Sequence, residues 1–166
     1  MYLKPDAALL VNDKPFFLPA FSEEVVASPC VVVRISRMGR NIAPRFAGRY
    51  YDSCTLGLNF HIPSLLAAGG LGNSLRATAF DNSLAVGRFS PSLPPLCRLT
   101  EAERSFPLEH LLMPVDEALA EISRYITFRM GDMVAVDFVQ EPLPLAREQR
   151  WQAWAGEEQL LFCKIK

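Results

Sequence analysis

Only two histidines, His61 and His110, are available for acid–base or nucleophilic chemistry in the 166-residue chain. A Ser/His or Cys/His dyad would need one of them, because the imidazole is the base that activates the nucleophile. The sequence contains neither the Gly-x-Ser-x-Gly nucleophile elbow nor the His-Glu-x-x-His zinc motif. The residue types therefore do not indicate a familiar hydrolase site.

The adjacent acidic residues Glu23 and Glu24 are candidate metal ligands. A hard divalent ion such as Mg²⁺ takes about six oxygen ligands, so a protein must bring two or three carboxylates to one point. On a strand, residues i and i+2 share a face, whereas direct neighbours point to opposite faces. Glu23 and Glu24 therefore cannot chelate one ion together unless a bulge redirects one of them.

A glycine-rich segment, Gly69-Gly70-Leu71-Gly72, is the remaining candidate for a binding loop. Phosphate-binding loops follow the Gly-x-Gly-x-x-Gly pattern between a strand and a helix, or the pattern Gly-x₄-Gly-Lys-Ser/Thr, and neither is present. We therefore expect a brief helical turn within residues 62–74 that ends in a mobile glycine loop.

The elements that would position these residues are mostly short strands. Residues 31–35, Val-Val-Val-Arg-Ile, form a β-branched run with one polar residue, which is typical of a strand buried on both faces. The Asn12-Asp13 dipeptide favours a tight turn and so predicts a hairpin of residues 7–11 and 14–18. Further strands are expected at residues 54–60 and 133–138, with a closing hairpin of residues 149–154 and 159–165.

One main helix is expected at residues 114–126. Proline suits its first position, Asp116 and Glu117 favour the positive N-terminal end, and Val115, Leu119 and Ile122 belong to an apolar stripe that packs on the sheet. A short helix is also predicted at residues 45–51 from its apolar spacing. Prolines make residues 90–107 the least structured stretch.

Composition narrows the class of protein further. With 17 basic and 18 acidic residues the net charge is −1, which does not suggest a nucleic-acid-binding surface. No apolar stretch approaches the roughly 18 residues of a membrane-spanning helix, and there is no signal-peptide pattern. Four scattered cysteines without a Cys-x-x-Cys pair indicate reduced thiols. We expect one cytoplasmic, β-rich domain over residues 1–166.

A series of short motifs is spread along nearly the whole chain. In order, they are Lys4-Pro5-Asp6-Ala7-Ala8-Leu9, Val31-Val32-Val33-Arg34-Ile35, Arg40-Asn41-Ile42-Ala43, Tyr50-Tyr51, Phe80-Asp81-Asn82-Ser83-Leu84-Ala85-Val86-Gly87 and Met130-Gly131-Asp132. In order and spacing they resemble the landmarks of the fumarylacetoacetate hydrolase family, and the resemblance is closest to the small single-domain 2-hydroxyhepta-2,4-diene-1,7-dioate isomerases.

The resemblance implies a β-rich α+β fold in which mixed sheets roll around a pocket. It implies a homodimer that binds Mg²⁺ or Mn²⁺ and acts on oxo-acids by C–C cleavage, isomerisation or decarboxylation. In such a site the metal is held by a Glu-x-Glu pair on one strand and by a carboxylate from a later strand.

The residues at the implied metal-ligand positions are different in this chain. The Glu-x-Glu pair falls on Ser28-Pro29-Cys30, and the third carboxylate falls on Asn59. All three carboxylates are therefore replaced, and we expect neither Mg²⁺ nor Mn²⁺ to bind.

Other implied site residues are replaced as well. The family arginine falls within Ile62-Pro63-Ser64, the family lysine falls on Thr78, and a Thr-Gly-Thr-Pro pocket motif falls on Val136-Asp137-Phe138-Val139. The family's active-site histidine would precede Lys4-Pro5, so no residue here inherits it and the chain is expected to be N-terminally truncated. We expect no catalytic residue and identify the following as pocket positions that correspond to lost family residues: Ser28, Cys30, Asn59, Thr78, Val136 and Phe138.

A softer ion offers one alternative, since Zn²⁺ accepts a thiolate and an imidazole. Cys30, Asn59 and His61 lie at or beside the replaced positions. The favoured interpretation is that Cys30 is a small buried hydrophobic residue and His61 is a loop or core histidine.

Three functional hypotheses follow. The first, which we favour, is a pseudoenzyme that keeps the fold and the dimer but has lost metal and chemistry. The second is an active family enzyme with a remodelled site. The third is a binding or interaction module that uses the former pocket for an oxo-acid or an apolar ligand.

Overall fold

A computed structural model describes residues 3–11, 13–22, 24–99, 104–139 and 141–166. The α-helices within these ranges are α1 (Pro44–Ala47), α2 (Pro63–Ala68), α3 (Leu71–Thr78) and α4 (Val115–Ser123), with 3₁₀ turns at Asp6–Ala8 and Leu108–His110. The strands are β1 (Leu9–Leu10), β2 (Val26–Ile35), β3 (Tyr51–His61), β4 (Leu84–Val86), β5 (Leu96–Leu99), β6 (Arg104–Pro107), β7 (Met133–Asp137), β8 (Leu143–Pro144), β9 (Arg150–Ala155) and β10 (Glu158–Lys164).

The larger sheet is mixed and has β2 near its centre. Its strand order is β1-β4-β3-β2-β7, with β8 also paired to β2, and only the β1–β4 pair is parallel. The strand predicted at residues 31–35 is confirmed as part of β2, which is buried along nearly its whole length. Burial on both faces explains why its sequence is almost continuously apolar.

Pro29 lies inside β2, a position that proline usually cannot occupy because it lacks the N–H donor. Its carbonyl accepts a hydrogen bond from the Phe138 N–H at 3.0 Å, so its nitrogen faces the same side of the strand. On that side β7 ends opposite Cys30 and β8 begins opposite Ala27. The missing donor therefore falls in the gap between two partner strands.

The smaller sheet is antiparallel, with the order β10-β9-β5-β6, and neither sheet closes into a barrel. The closing hairpin is confirmed: β9 and β10 pair across a turn in which Gly156 has a φ of 63°. The main core joins the two sheets and includes Trp151 of β9 and Phe60 of β3. Phe60 stacks on Phe16 with ring centroids 4.0 Å apart. This β-rich architecture with few helices agrees with the fold class expected from the sequence.

The N-terminal hairpin prediction is wrong. Leu9 and Leu10 pair in parallel with Leu84 and Ala85, and Phe16 forms a parallel bridge with Ile165. Asn12, in the predicted turn, lies outside the described residues. Long-range pairing with strands from the rest of the chain replaced the local pairing that the turn residues favoured.

The predictions for residues 90–107 and for the glycine loop also need correction. Residues 96–99 and 104–107 form the antiparallel pair β5–β6. The alternating burial of Cys97 and Leu99 within β5 is the period-two signal that the prolines obscured. The helical turn predicted within residues 62–74 is α2, which ends at its C-cap Gly69, but the glycine loop is limited to Gly69 and Gly70, because α3 begins at Leu71 directly after Gly70, whose φ is 82°.

The predicted helices are shorter in the structure. The helix expected at residues 114–126 is α4, in which Pro114 is the N-cap and Ser123 is the last helical residue. The helix expected at residues 45–51 is the single turn α1, whose last helical residue is Ala47 and whose C-cap is Gly48. None of the helices in the described ranges is long and apolar enough to cross a membrane.

Gly87 follows β4 at a point where the backbone leaves no room for a side chain. A Cβ there would lie 2.6 Å from the Leu160 carbonyl oxygen and 2.7 Å from Thr55 Oγ1. We expect Gly87→Ala to lower the free energy of unfolding by about 1–3 kcal/mol, measured by urea denaturation, because the clash is with backbone.

Gly48→Ala is the matched control for this substitution. Gly48 has a φ of −58°, and a Cβ there meets no atom within 4 Å. Its effect should stay within about 0.5 kcal/mol. Equal destabilisation by the two variants would contradict the packing described for Gly87.

Candidate functional site

Three of the predicted site residues lie together on one face of the larger sheet. The β2–β3 register places Ser28 opposite Asn59 and Cys30 opposite Gly57. Paired residues share a face, as do residues i and i+2 of one strand. Ser28, Cys30 and Asn59 are all buried there. We call this surface the polar face.

Asp137 joins the polar face from β7, where it pairs with Cys30 across the other edge of β2. The side-chain amide of Asn59 reaches over β2 and donates to Asp137, with Nδ2 3.1 Å from Oδ2 and 3.3 Å from Oδ1. The Asn59 Oδ1 atom is buried and has no hydrogen-bond partner in the part of the chain that the structure describes. The polar face therefore holds one carboxylate and one unused amide acceptor.

Lys4 brings a positive charge to the same place from the N-terminal segment. Its Nζ donates to Ser83 Oγ at 2.9 Å, to the Ser83 carbonyl at 3.1 Å and to the Thr78 carbonyl. Ser83 Oγ in turn donates to the Thr78 carbonyl at 2.9 Å. Thr78 thus contributes its backbone oxygen, while its own hydroxyl donates to the Ser74 carbonyl within α3.

Burial dominates the electrostatics of the polar face. It lowers the pKa of Lys4 to about 8, an effect that the negative charge of the nearby Asp137 opposes. It raises the pKa of Asp137 to about 6, against the hydrogen bond from Asn59 and the charge of Lys4. At neutral pH the two groups are therefore mainly a carboxylate and an ammonium. They attract each other, although neither forms a direct ion pair with any described residue.

The remaining polar side chains near this face are neutral at physiological pH. Burial raises the pKa of the Cys30 thiol well above its usual range, and the charge of Asp137 adds to the effect. Burial also lowers the pKa of His61, which is half-buried. Cys30 is thus a protonated thiol, in agreement with its interpretation as a small buried residue.

Two predicted site residues lie elsewhere. Val136 pairs with Val31 and so points to the side of the sheet opposite to Asp137. Phe138 packs against Phe106, with ring centroids 5.4 Å apart, and both Val136 and Phe138 belong to the main core. The structure therefore brings together three of the predicted pocket positions, Ser28, Cys30 and Asn59. Lys4 links the Thr78 backbone to them. Val136 points away from them, and Phe138 belongs to the main core, although it lines a small cavity together with Cys30.

Comparison with solved structures gives long, close matches at low sequence identity. 5-Carboxymethyl-2-hydroxymuconate delta-isomerase from Mycobacterium smegmatis matches with a TM-score of 0.87 and 18% identity, over 99% of this chain and 67% of that one. A Yersinia pestis CO92 protein provisionally assigned to the fumarylacetoacetate hydrolase family matches with a TM-score of 0.87 and 20% identity, over 99% and 84%. The chain has the fumarylacetoacetate hydrolase fold.

A third structure with this fold was determined with ligands. Fumarylpyruvate hydrolase from Pseudomonas aeruginosa, in complex with Mn²⁺ and pyruvate, matches with a TM-score of 0.85 and 19% identity, over 99% of this chain and 77% of that one. No protein-family model and no curated protein matches the sequence. The likeness is therefore one of fold.

The polar face of this fumarylacetoacetate hydrolase fold does not fit Mg²⁺ or Mn²⁺. Its donors are one carboxylate, an amide oxygen, a hydroxyl and a protonated thiol, whereas these ions need several converging carboxylates. Within the described ranges no three His, Cys, Asp or Glu side chains gather at one point. The donors also do not fit Zn²⁺, which takes at least three Cys, His or carboxylate ligands at one point, because Cys30 and Asp137 are the only such side chains among the described members of the polar face. Of the adjacent acids considered as replacements, Glu24 is exposed and Glu23 lies outside the described residues.

Sequence reasoning missed Lys4 and Asp137 as members of the site. Lys4 was visible in the Lys4-Pro5 landmark, and Asp137 was visible as the only acidic residue in the strand predicted at residues 133–138. A charged residue inside an apolar strand is uncommon unless it has a partner. The single acidic residue in this apolar strand therefore indicated that Asp137 has a polar partner in the fold.

The raised pKa of Asp137 predicts that the free energy of unfolding decreases as the pH rises through the range in which Asp137 ionises. Because the folded-state pKa of about 6 lies above the usual 3.8, this group favours folding below about pH 4, and that contribution is lost as the pH rises to about 6. Asp137→Asn should remove this loss. The variant should gain roughly 1–3 kcal/mol of unfolding free energy relative to wild type between pH 4 and pH 7, measured by urea denaturation.

Asp132→Asn serves as the comparison, since Asp132 is an exposed carboxylate at the turn before β7. Asp132→Asn should not raise the free energy of unfolding relative to wild type between pH 4 and pH 7. A wild-type-like pH profile for Asp137→Asn would contradict the burial of an ionised Asp137.

Proposed function

We propose that the protein has lost the metal-dependent hydrolase, isomerase or decarboxylase chemistry on oxo-acids that its resemblance to the fumarylacetoacetate hydrolase family implies. The supporting observation is the polar face, where Lys4, Asn59 and Asp137 occupy the surface on which metal-binding carboxylates were expected. The protein is then a pseudoenzyme that uses the fold for another purpose.

The charge balance of the polar face supports this proposal. The single carboxylate, Asp137, already interacts with the ammonium of Lys4 and accepts hydrogen bonds from Asn59. A divalent ion placed beside Asp137 would meet a second cation in a poorly hydrated region, where like charges repel strongly. The lysine thus supplies internally the positive charge that a metal would otherwise bring.

A second candidate function, binding of a small molecule, is favoured by the buried and unpartnered Asn59 Oδ1. A buried acceptor without a donor is costly, so a ligand with a hydroxyl or amide N–H is a suitable partner. An otherwise apolar molecule with one such donor meets this requirement without adding charge.

We also propose where in the cell the protein resides and what it binds. All four cysteines are free thiols, which supports a reducing compartment such as the cytoplasm. The net charge of −1 supports the absence of a nucleic-acid partner. We also propose that the chain forms a homodimer, as the family resemblance implies.

The purified protein should not turn over an acylpyruvate or oxaloacetate in the presence of Mg²⁺ or Mn²⁺. The rate of substrate loss should equal that of buffer with the same ion, followed by absorbance and by product analysis. Fumarylpyruvate hydrolase from Pseudomonas aeruginosa, assayed with fumarylpyruvate and the same metal ion, is the positive control. Metal-dependent turnover that tracks the protein through purification would establish a remodelled active enzyme instead.

Asn59 also provides a test for the second candidate. A neutral hydroxyl- or amide-bearing ligand that binds the polar face should raise the melting temperature without added metal, because it stabilises only the folded state. Asn59→Leu removes the free acceptor and should abolish the rise, while the control Asn73→Leu, whose side-chain amide donates to the Gly69 carbonyl outside the polar face, should keep it. An unchanged rise in Asn59→Leu would place the ligand elsewhere.

A further inference from the structure

Two neighbouring surfaces near α1 and α4 have opposite charge. The first, which we call the basic knob, consists of Arg45, Phe46 and Arg49. The guanidinium carbons of Arg45 and Arg49 lie 4.7 Å and 4.9 Å from the centroid of the Phe46 ring. Phe46 is 38% exposed, so an aromatic ring and two cations project together from the surface.

The second surface is an acidic groove of about 750 Å³ between α4 and the segment that leads into α1. Glu117 and Glu121 of α4 and Met113 line it, with Pro44 on the other wall. Glu121 accepts an ion pair from Arg124 at 3.0 Å and a hydrogen bond from the Tyr125 hydroxyl at 3.3 Å. The groove therefore carries two carboxylates, of which one is already partly neutralised.

The charges of the knob and the groove are not satisfied inside the chain. Neither Arg45 nor Arg49 forms an ion pair with a described residue, and the same holds for Glu117. Arginine held against an aromatic ring still presents its N–H donors outward, where they match carboxylates well. The knob and the groove are thus chemically complementary to each other.

The knob cannot enter the groove of its own chain, since Pro44 in the groove wall directly precedes Arg45. Because the knob and the groove are neighbours, one patch carries both halves of the contact, which makes the patch self-complementary about a twofold axis. Exposed apolar side chains at Met113 and Tyr125 provide additional area for such an interface.

We propose that a second copy of this chain docks here, with the basic knob of each protomer in the acidic groove of the other. The inference rests on the homodimer proposed above and assigns its interface. It is independent of whether the polar face binds a ligand or a metal.

Charge exchange tests this assignment directly. Arg45→Glu/Arg49→Glu makes the knob acidic, and Glu117→Arg/Glu121→Arg makes the groove basic. Each double variant alone should dimerise at least tenfold more weakly than wild type in sedimentation equilibrium at low salt, because like charges then face each other. An equimolar mixture should return to within about threefold of the wild-type affinity, because both contacts of the mixed pair are complementary.

Arg76→Glu/Arg147→Glu is the matched control, with the same change in net charge at two exposed arginines away from α1 and α4. It should dimerise like wild type, and circular dichroism should show that all variants are folded. A wild-type chain that is monomeric at 100 μM would overturn the homodimer and with it the interface. A dimeric wild type whose charge variants also stay dimeric would overturn the interface alone.

Discussion

The pairing of β2 with β3 on one side and β7 on the other is the constraint on which the candidate site depends. This pairing fixes Cys30 between Gly57 and Asp137, and Ser28 opposite Asn59. Because the side-chain period of a strand is two, a shift of β2 by one residue would turn its polar residues into the main core and place its apolar residues on the polar face. The valine-rich run that makes β2 hydrophobic therefore also determines where its few polar residues meet.

A buried carboxylate must be compensated, and the compensation here comes from distant parts of the sequence. Asn59 donates two long hydrogen bonds to Asp137, and Lys4 contributes the opposing charge. Three acceptors around the end of α3 and the turn before β4 hold the ammonium of Lys4 in place. The N-terminal segment is thereby fixed to the sheet by polar contacts.

Sequence patterns correctly predicted those helices and strands in which the buried residues recur with regular helical or strand spacing. The residues of β2, the β9–β10 hairpin and α4 were all identifiable because their apolar spacing agrees with their final environment. The N-terminal hairpin was mispredicted because Leu9 and Phe16 pair with strands far along the chain, which a turn dipeptide does not reveal. The β5–β6 pair was missed because prolines concealed a short alternating strand.

The candidate site was only partly predictable for a similar reason. Ser28, Cys30 and Asn59 were found through the family resemblance, and strand register unites them. Val136 and Phe138 were grouped with them, although both pack into the main core, as does Val134, which shares a face of β7 with Val136. Lys4 and Asp137 are separated by most of the chain, so their electrostatic coupling becomes visible only in three dimensions.

We propose that the polar face binds no divalent ion, and calorimetric titration of the purified protein with Mn²⁺ is the measurement that decides this. We expect no saturable heat beyond dilution at micromolar to millimolar Mn²⁺, with fumarylpyruvate hydrolase from Pseudomonas aeruginosa, whose structure contains Mn²⁺, as the binding control. Stoichiometric binding with micromolar affinity that is lost in Asp137→Asn would contradict it.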